Sequence, residues 1–111
     1  MTSAPAPIQR MIDATNAGDH DAFLATFTAD AVLVDWGKEF SGTDSSGTDS
    51  IAAWDESDNI GRKAHFRVAD VEKDGDAWLV TLDVTGAGFN GTGNFRFMLT
   101  DDLIARMEIT P

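Results

Sequence analysis

The chain contains no cysteine and no tyrosine, only three prolines, and far fewer basic than acidic residues. Without cysteine there are no disulfides, no thiol nucleophile and no thiolate metal site, which suits a cytoplasmic location. Residues 1–7 lack the basic start and apolar stretch of a secretory signal. The longest apolar runs are a few residues, too short for a membrane span. Eight basic residues against 19 acidic ones give a net charge of −11. Such a surface repels phosphate backbones, and no Lys/Arg cluster makes a local exception, so nucleic acid and anionic membrane are excluded as partners. The two histidines, His20 and His65, are far apart without HxH spacing and offer no metal site. A Gly-rich phosphate loop is also missing, so no cofactor is implied.

What is present is ordinary for one globular domain spanning residues 1–111: 42% apolar and 24% charged. Ile8, Met11, Ile12 and Thr15 fall on one helical stripe, opened by Pro5 and Pro7 and stopped by Gly18. Asp19 is placed to cap a second helix through Phe23, Leu24 and Phe27. Residues 31–36 read as a strand ended by Gly37, and residues 50–59 as a third helix burying Ile51 and Trp54. Four strands follow, turned at Asp74-Gly75, Asn90-Gly91 and Asp101-Asp102. Helices first and antiparallel strands afterwards predict an α+β fold: a cone-shaped roll of three N-terminal helices on a curved, mostly antiparallel sheet enclosing a pocket.

A pentapeptide, Ser-Gly-Thr-Asp-Ser, occurs twice in tandem over residues 41–50. It is too short for a structural repeat, which needs some 20 or more residues. It reads as a loop lengthened by duplication, natural or engineered, at an entropic cost well under ~1 kcal/mol. A calcium loop from Asp44, Asp49, Asp55 and Asp58 is the functional alternative, but these residues miss the alternating ligand spacing.

The order helix, helix, strand, helix, four-stranded meander resembles the nuclear transport factor 2-like superfamily, and its SnoaL-like branch in particular. The stretches that carry the resemblance are residues 8–19, 27–35, the loop from Phe40 into Ile51-Ala-Ala-Trp54, Phe95-Arg-Phe97 and Ile104-Ala-Arg106. The superfold hosts isomerases, cyclases, dehydratases and plain binding subunits, so the resemblance implies a fold more firmly than a reaction. Compared with ketosteroid isomerase on this fold, Asp35 sits where the general base is expected. The oxyanion-hole positions match Met11 and Gly93, which cannot donate a side-chain hydrogen bond. That enzyme's own activity is thereby disfavoured, and a roomier apolar cavity is implied. The resemblance also implies pairing into a homodimer through the outer sheet face, where Leu79, Met98 and Ile104 are expected.

Strand alternation puts Asp35 with Ala31 and Leu33 toward the pocket, and Val32, Val34 and Trp36 on the other side. A carboxylate among apolar walls suits a general base; the competing reading is that the strand end is solvent-exposed or that Asp35 bonds a neighbouring backbone or indole N–H. His65 is the second candidate proton carrier, although alternation turns it outward with Arg67. His20 reads as a surface residue. The expected pocket lining is Met11, Leu33, Trp54, Phe66, Gly93, Phe95 and Phe97. The function that follows is a protein handling a small, largely apolar organic molecule, by cofactor-independent isomerase, cyclase or dehydratase chemistry with Asp35 as base. The rival from another class is a non-catalytic ligand-binding or dimeric assembly domain.

Overall fold

The computed structural model describes residues 4–44 and 49–110; the middle of the duplicated loop lies outside them. Helix α1 (Ala6–Ala17) starts behind Pro5 with Pro7 in its first turn, and ends on Gly18 in the left-handed conformation (φ 68°). It buries Ile8, Met11, Ile12 and Thr15, as the stripe predicts. Asp19 caps α2 (His20–Leu24) by accepting the Ala22 N–H at 3.1 Å. Ser50 caps α3 (Ile51–Asp58) in the same way through Ala53. A 3-10 turn (Ile60–Arg62) follows directly.

The strands are β1 (Phe27–Asp35), β2 (Lys38–Ser41), β3 (His65–Asp74), β4 (Ala77–Thr85), β5 (Gly91–Thr100) and β6 (Leu103–Thr110). They form one sheet in the order β2-β1-β6-β5-β4-β3. Among the described residues only β1 and β6 run parallel; every other pairing is antiparallel. The helices pack against one face, so the fold is α+β with a six-stranded curved sheet. Phe23, Met11, Leu33, Phe97, Ile104 and Met107 are fully enclosed between the layers. Fully burying one such side chain stabilises by about 1.5–3 kcal/mol. Asn16 at the end of α1 clamps the edge strand, donating to the Phe66 carbonyl at 2.9 Å and accepting its N–H at 2.7 Å.

Three details depart from the sequence reading. Phe27 belongs to β1 rather than α2, and its ring packs on Phe23 at 5.1 Å between centroids. Strand β2 lies where a loop is expected, because Val32 to Asp35 pair back onto Ser41 to Lys38 across a turn at Trp36 and Gly37. Ile104 is completely buried rather than outward, since the β5–β6 register slips between Met98 and Leu99 and reverses its phase. The base of the duplicated loop is closed by backbone bonds: Ser41 N–H donates to Asp49, and Ile51 N–H donates to Gly42, each at 2.8 Å.

Gly61 has a sharper requirement than the other turn glycines. A Cβ there would sit 1.5 Å from the Glu56 carbonyl oxygen, which is backbone and cannot swing aside. Around Gly18, by contrast, nothing lies within 4 Å, so only the cost of its positive φ remains. Gly61→Ala is expected to cost about 2 kcal/mol or more and Gly18→Ala about 1 kcal/mol, read as urea midpoints; equal losses would contradict the close approach under α3.

Candidate functional site

A cavity of about 390 Å³ opens at the end of the sheet where β1, β4 and β6 finish and β5 begins. That is the lower part of the usual range for small-molecule clefts. Phe66, Val84, Phe95 and Ile109 form its apolar wall from four strands, and Trp54 faces them from α3. Phe66 and Phe95 meet edge to face at 5.6 Å, with Phe97 stacked behind Phe95 at 6.3 Å. Gly93 also lines the cavity, but much of the space its missing side chain leaves is taken by Phe95, whose Cε1 would lie 3.0 Å from a Cβ there.

Asp35 ends β1 at the edge of this wall and is partly exposed. The Trp54 indole N–H donates to its Oδ2 at 3.0 Å. The bond fixes the carboxylate and joins α3 to β1 across the cavity. Beyond Asp35 the chain turns at Trp36, whose φ of 51° takes it off the strand. Trp36 therefore lines the cavity rim instead of lying behind the sheet as alternation predicts. Its ring meets Phe89 at 6.2 Å in a T-shaped pair, and these are the two large apolar side chains that stay exposed among the described residues, 59% and 50%. Phe89 is carried by the glycine-rich β4–β5 loop, where Asn90 spans the turn by donating to the Gly86 and Gly88 carbonyls. Asp58, Asn59, Arg62 and Thr85 complete the polar part of the rim.

Behind the cavity lies a second cluster. Asp55 on α3 has no exposed surface. Its Oδ2 bonds His20 Nδ1 at 2.5 Å and its Oδ1 accepts from Asn59 Nδ2 at 2.8 Å, while Asn59 also donates to the Thr15 hydroxyl. His20 Nε2 lies 3.3 Å from Glu56. Burial pushes the Asp55 carboxyl above its ordinary pKa, against the lowering effect of the bonds from His20 and Asn59.

Of the residues singled out from the sequence, Asp35, Trp54, Phe66, Gly93 and Phe95 meet around the cavity. Met11, Leu33 and Phe97 do not line it: all three are fully buried between helices and sheet. His65 is exposed at the start of β3, because Phe66 takes the inward position, and no described bond links it to Asp35. His20 is no free surface residue, since it bridges Asp55 and Glu56. Among the polar residues, Asn59 and Arg62 at the cavity are not anticipated by the sequence reading, and Asp55 behind it is considered there only as a calcium ligand. The signal for Asp55 and Asn59 was available, as both extend the Ile51–Trp54 stripe at helical spacing.

Helices on one face of a curved, mostly antiparallel sheet, with an apolar cavity at its open end, define the nuclear transport factor 2-like class. Within that class the chain belongs to the SnoaL-like domain family, whose model matches residues 8–107. A proposed polyketide cyclase from Sinorhizobium meliloti is similar over 96% of this chain and 95% of that one, with 29% identity and a TM-score of 0.80. A Mycobacterium tuberculosis protein in complex with estradiol-17β-hemisuccinate shares the fold at 16% identity, covering 98% of this chain and 95% of its own (TM-score 0.80). A computationally designed 17-OHP binder does so at 17% identity, covering 99% and 92% (TM-score 0.81). No curated protein matches the chain. No described helix is long and apolar enough to cross a membrane.

The buried Asp55 sets a pH dependence. With the folded pKa raised, the native state holds a proton that the unfolded chain releases, starting near the ordinary carboxylate value of ~3.9. This contribution to stability is whole below that value and is lost as pH rises through the higher folded pKa. Asp55→Asn removes the titration and keeps the shape. Denaturant midpoints from pH 4 to 7 should therefore shift in favour of the variant as pH rises; a constant difference would show that Asp55 does not titrate in this way.

Proposed function

We propose that the chain binds a small, largely apolar organic molecule in the aromatic cavity and moves a proton on it with Asp35. The observation that carries this reading is a carboxylate held by an indole N–H at 3.0 Å beside a wall of Phe66, Phe95 and Ile109. Ligand binding needs the apolar wall, which supplies area, and a few fixed polar groups, which supply orientation. Proton abstraction needs a carboxylate positioned before the substrate arrives. The similarity to the polyketide cyclase homologue and the steroid-type ligands named for two structures of this fold support an apolar, ring-shaped molecule. Cofactor-independent isomerase, cyclase or dehydratase chemistry on such a molecule would begin with this proton transfer.

The probe that separates turnover from binding is 5-nitrobenzisoxazole, which opens its ring when a base removes its C–H proton. Wild type is expected to accelerate the opening, and Asp35→Asn to lose roughly 100-fold of that rate. Equal rates for the two proteins, with binding unchanged, would favour the second reading, a non-catalytic ligand-binding domain. One feature speaks for that alternative: Trp54 already occupies one Asp35 oxygen, a use that serves structure as well as chemistry.

The outer sheet face belongs to the same proposal as the surface of a homodimer. Leu79 and Met98 lie half-buried there, among Arg96 and Arg106. Those arginines are engaged by Asp74 at 2.8 Å and Glu108 at 3.3 Å. Light scattering on the purified chain is expected to give twice the monomer mass, and Leu79→Asp to return it to one; a monomeric wild type would remove the dimer from the reading.

A further inference from the structure

The arginines divide unequally. Arg10, Arg67, Arg96 and Arg106 each reach a carboxylate, Asp102, Asp83, Asp74 and Glu108, at 2.7 to 3.3 Å. Arg62 alone meets none among the described residues, and it is the arginine that lines the cavity. In a chain with 19 acidic and 8 basic residues, an unpaired carboxylate is unavoidable and an unpaired guanidinium is not. Asp58, also on the rim, forms no ion pair with it among the described residues.

The fold holds this guanidinium in place. Its Nε–H donates to the Ser57 carbonyl at 3.1 Å, which leaves the two terminal amino groups unspent. Its backbone carbonyl accepts from Ala87 N–H at 2.8 Å, tying the 3-10 turn to the β4–β5 loop. Gly88 makes room for the stem: a Cβ there would lie 3.4 Å from both Cβ and Cγ of Arg62. Gly86 allows the same approach, since a Cβ on it would fall 2.9 Å from the Arg62 carbonyl oxygen. Two glycines and two hydrogen bonds thus fix an unpaired cation at the mouth of an apolar cavity.

We propose that Arg62 is the anion-recognising residue of this cavity, and that the ligand is an apolar ring compound carrying an acidic oxygen group. A planar guanidinium with free terminal N–H groups is suited to a forked pair of bonds with such a group. The ring body then lies on Phe66 and Phe95, with Trp36 and Phe89 at the entrance. This inference rests on the reading of the cavity as a ligand site, and it adds the charge of the ligand.

The test uses a matched pair of fluorescent probes, neutral N-phenyl-1-naphthylamine and its anionic relative 8-anilinonaphthalene-1-sulfonate. Despite the net charge of −11, the anion is expected to bind the wild type at least as tightly as the neutral probe. Arg62→Gln should weaken the anion by roughly 5- to 10-fold and leave the neutral probe unchanged, with Arg62→Lys in between. Rising salt should weaken the anion on wild type and not on Arg62→Gln. If neither probe binds the wild type, the ligand-site reading itself falls. If the neutral probe binds while Arg62→Gln leaves the anion unaffected, the role of Arg62 falls alone. A wild type that rejects the anion but takes up a cationic naphthalene would assign the rim to Asp35 and Asp58 instead.

Discussion

A carboxylate with no exposed surface is costly to bury, and the fold accepts that cost where its three helices meet. Asp55 projects from α3, His20 begins α2, Thr15 lies on α1, and Asn59 closes the group at the end of α3. Each helix contributes one polar partner, so the network can form only when all three have docked. Removing one partner would leave a buried polar group unsatisfied, a penalty larger than the net value of the bonds themselves. The position of α3 on the sheet is thereby specified more tightly than by apolar contact alone.

The cavity depends on that position. Trp54 lies one residue before Asp55, and its indole N–H reaches Asp35 at the end of β1. Three to seven residues beyond Asp55 come Asp58, Asn59 and Arg62, all on the rim. A small shift of α3 would break the indole bond and displace the guanidinium together. The opposite wall is fixed independently. Asn16 pins the Phe66 backbone to α1, the β3–β4 ladder pairs Phe66 with Val84, and the Phe95 ring on β5 meets the Phe66 ring edge to face. The site is therefore an assembly of one helix and one sheet end, each held by its own polar clamp.

Much of this was legible in the chain because period and turn chemistry agree. The stripe of Ile8, Met11, Ile12 and Thr15, the cap at Asp19, and the Asp74-Gly75 hairpin each point to the element that forms. What escaped did so for physical reasons. Strand β2 is four residues long with one buried side chain, Phe40, too little for alternation to register. Ile104 changed faces through a register slip that no periodicity encodes. Trp36 reached the rim because one non-glycine residue adopts a positive φ, a choice made by the β1–β2 turn rather than by its own propensity. Met11 and Leu33 have the composition of a pocket wall but lie where the layers close, and composition does not separate core from pocket.

The polar residues show why a charge census can be more informative than a hydrophobic one in such a fold. Apolar side chains are needed both to build the sandwich and to line the cavity, so finding one says little about which task it serves. Each charged group must instead be solvated, paired or left for something else. Asp55 is paired at depth, Arg67 is paired at the surface with Asp83, and its bond together with one from Thr92 holds that carboxyl below the usual range. Asp35 is half used, with one oxygen engaged by Trp54. Among the described residues Arg62, exposed at the cavity mouth, has a side-chain bond through Nε alone. Asp35 and Arg62, incompletely used charges of opposite sign, both belong to the cavity, and a ligand that satisfied them would bring to this end of the sheet the pairing that Asp55 already has between the helices.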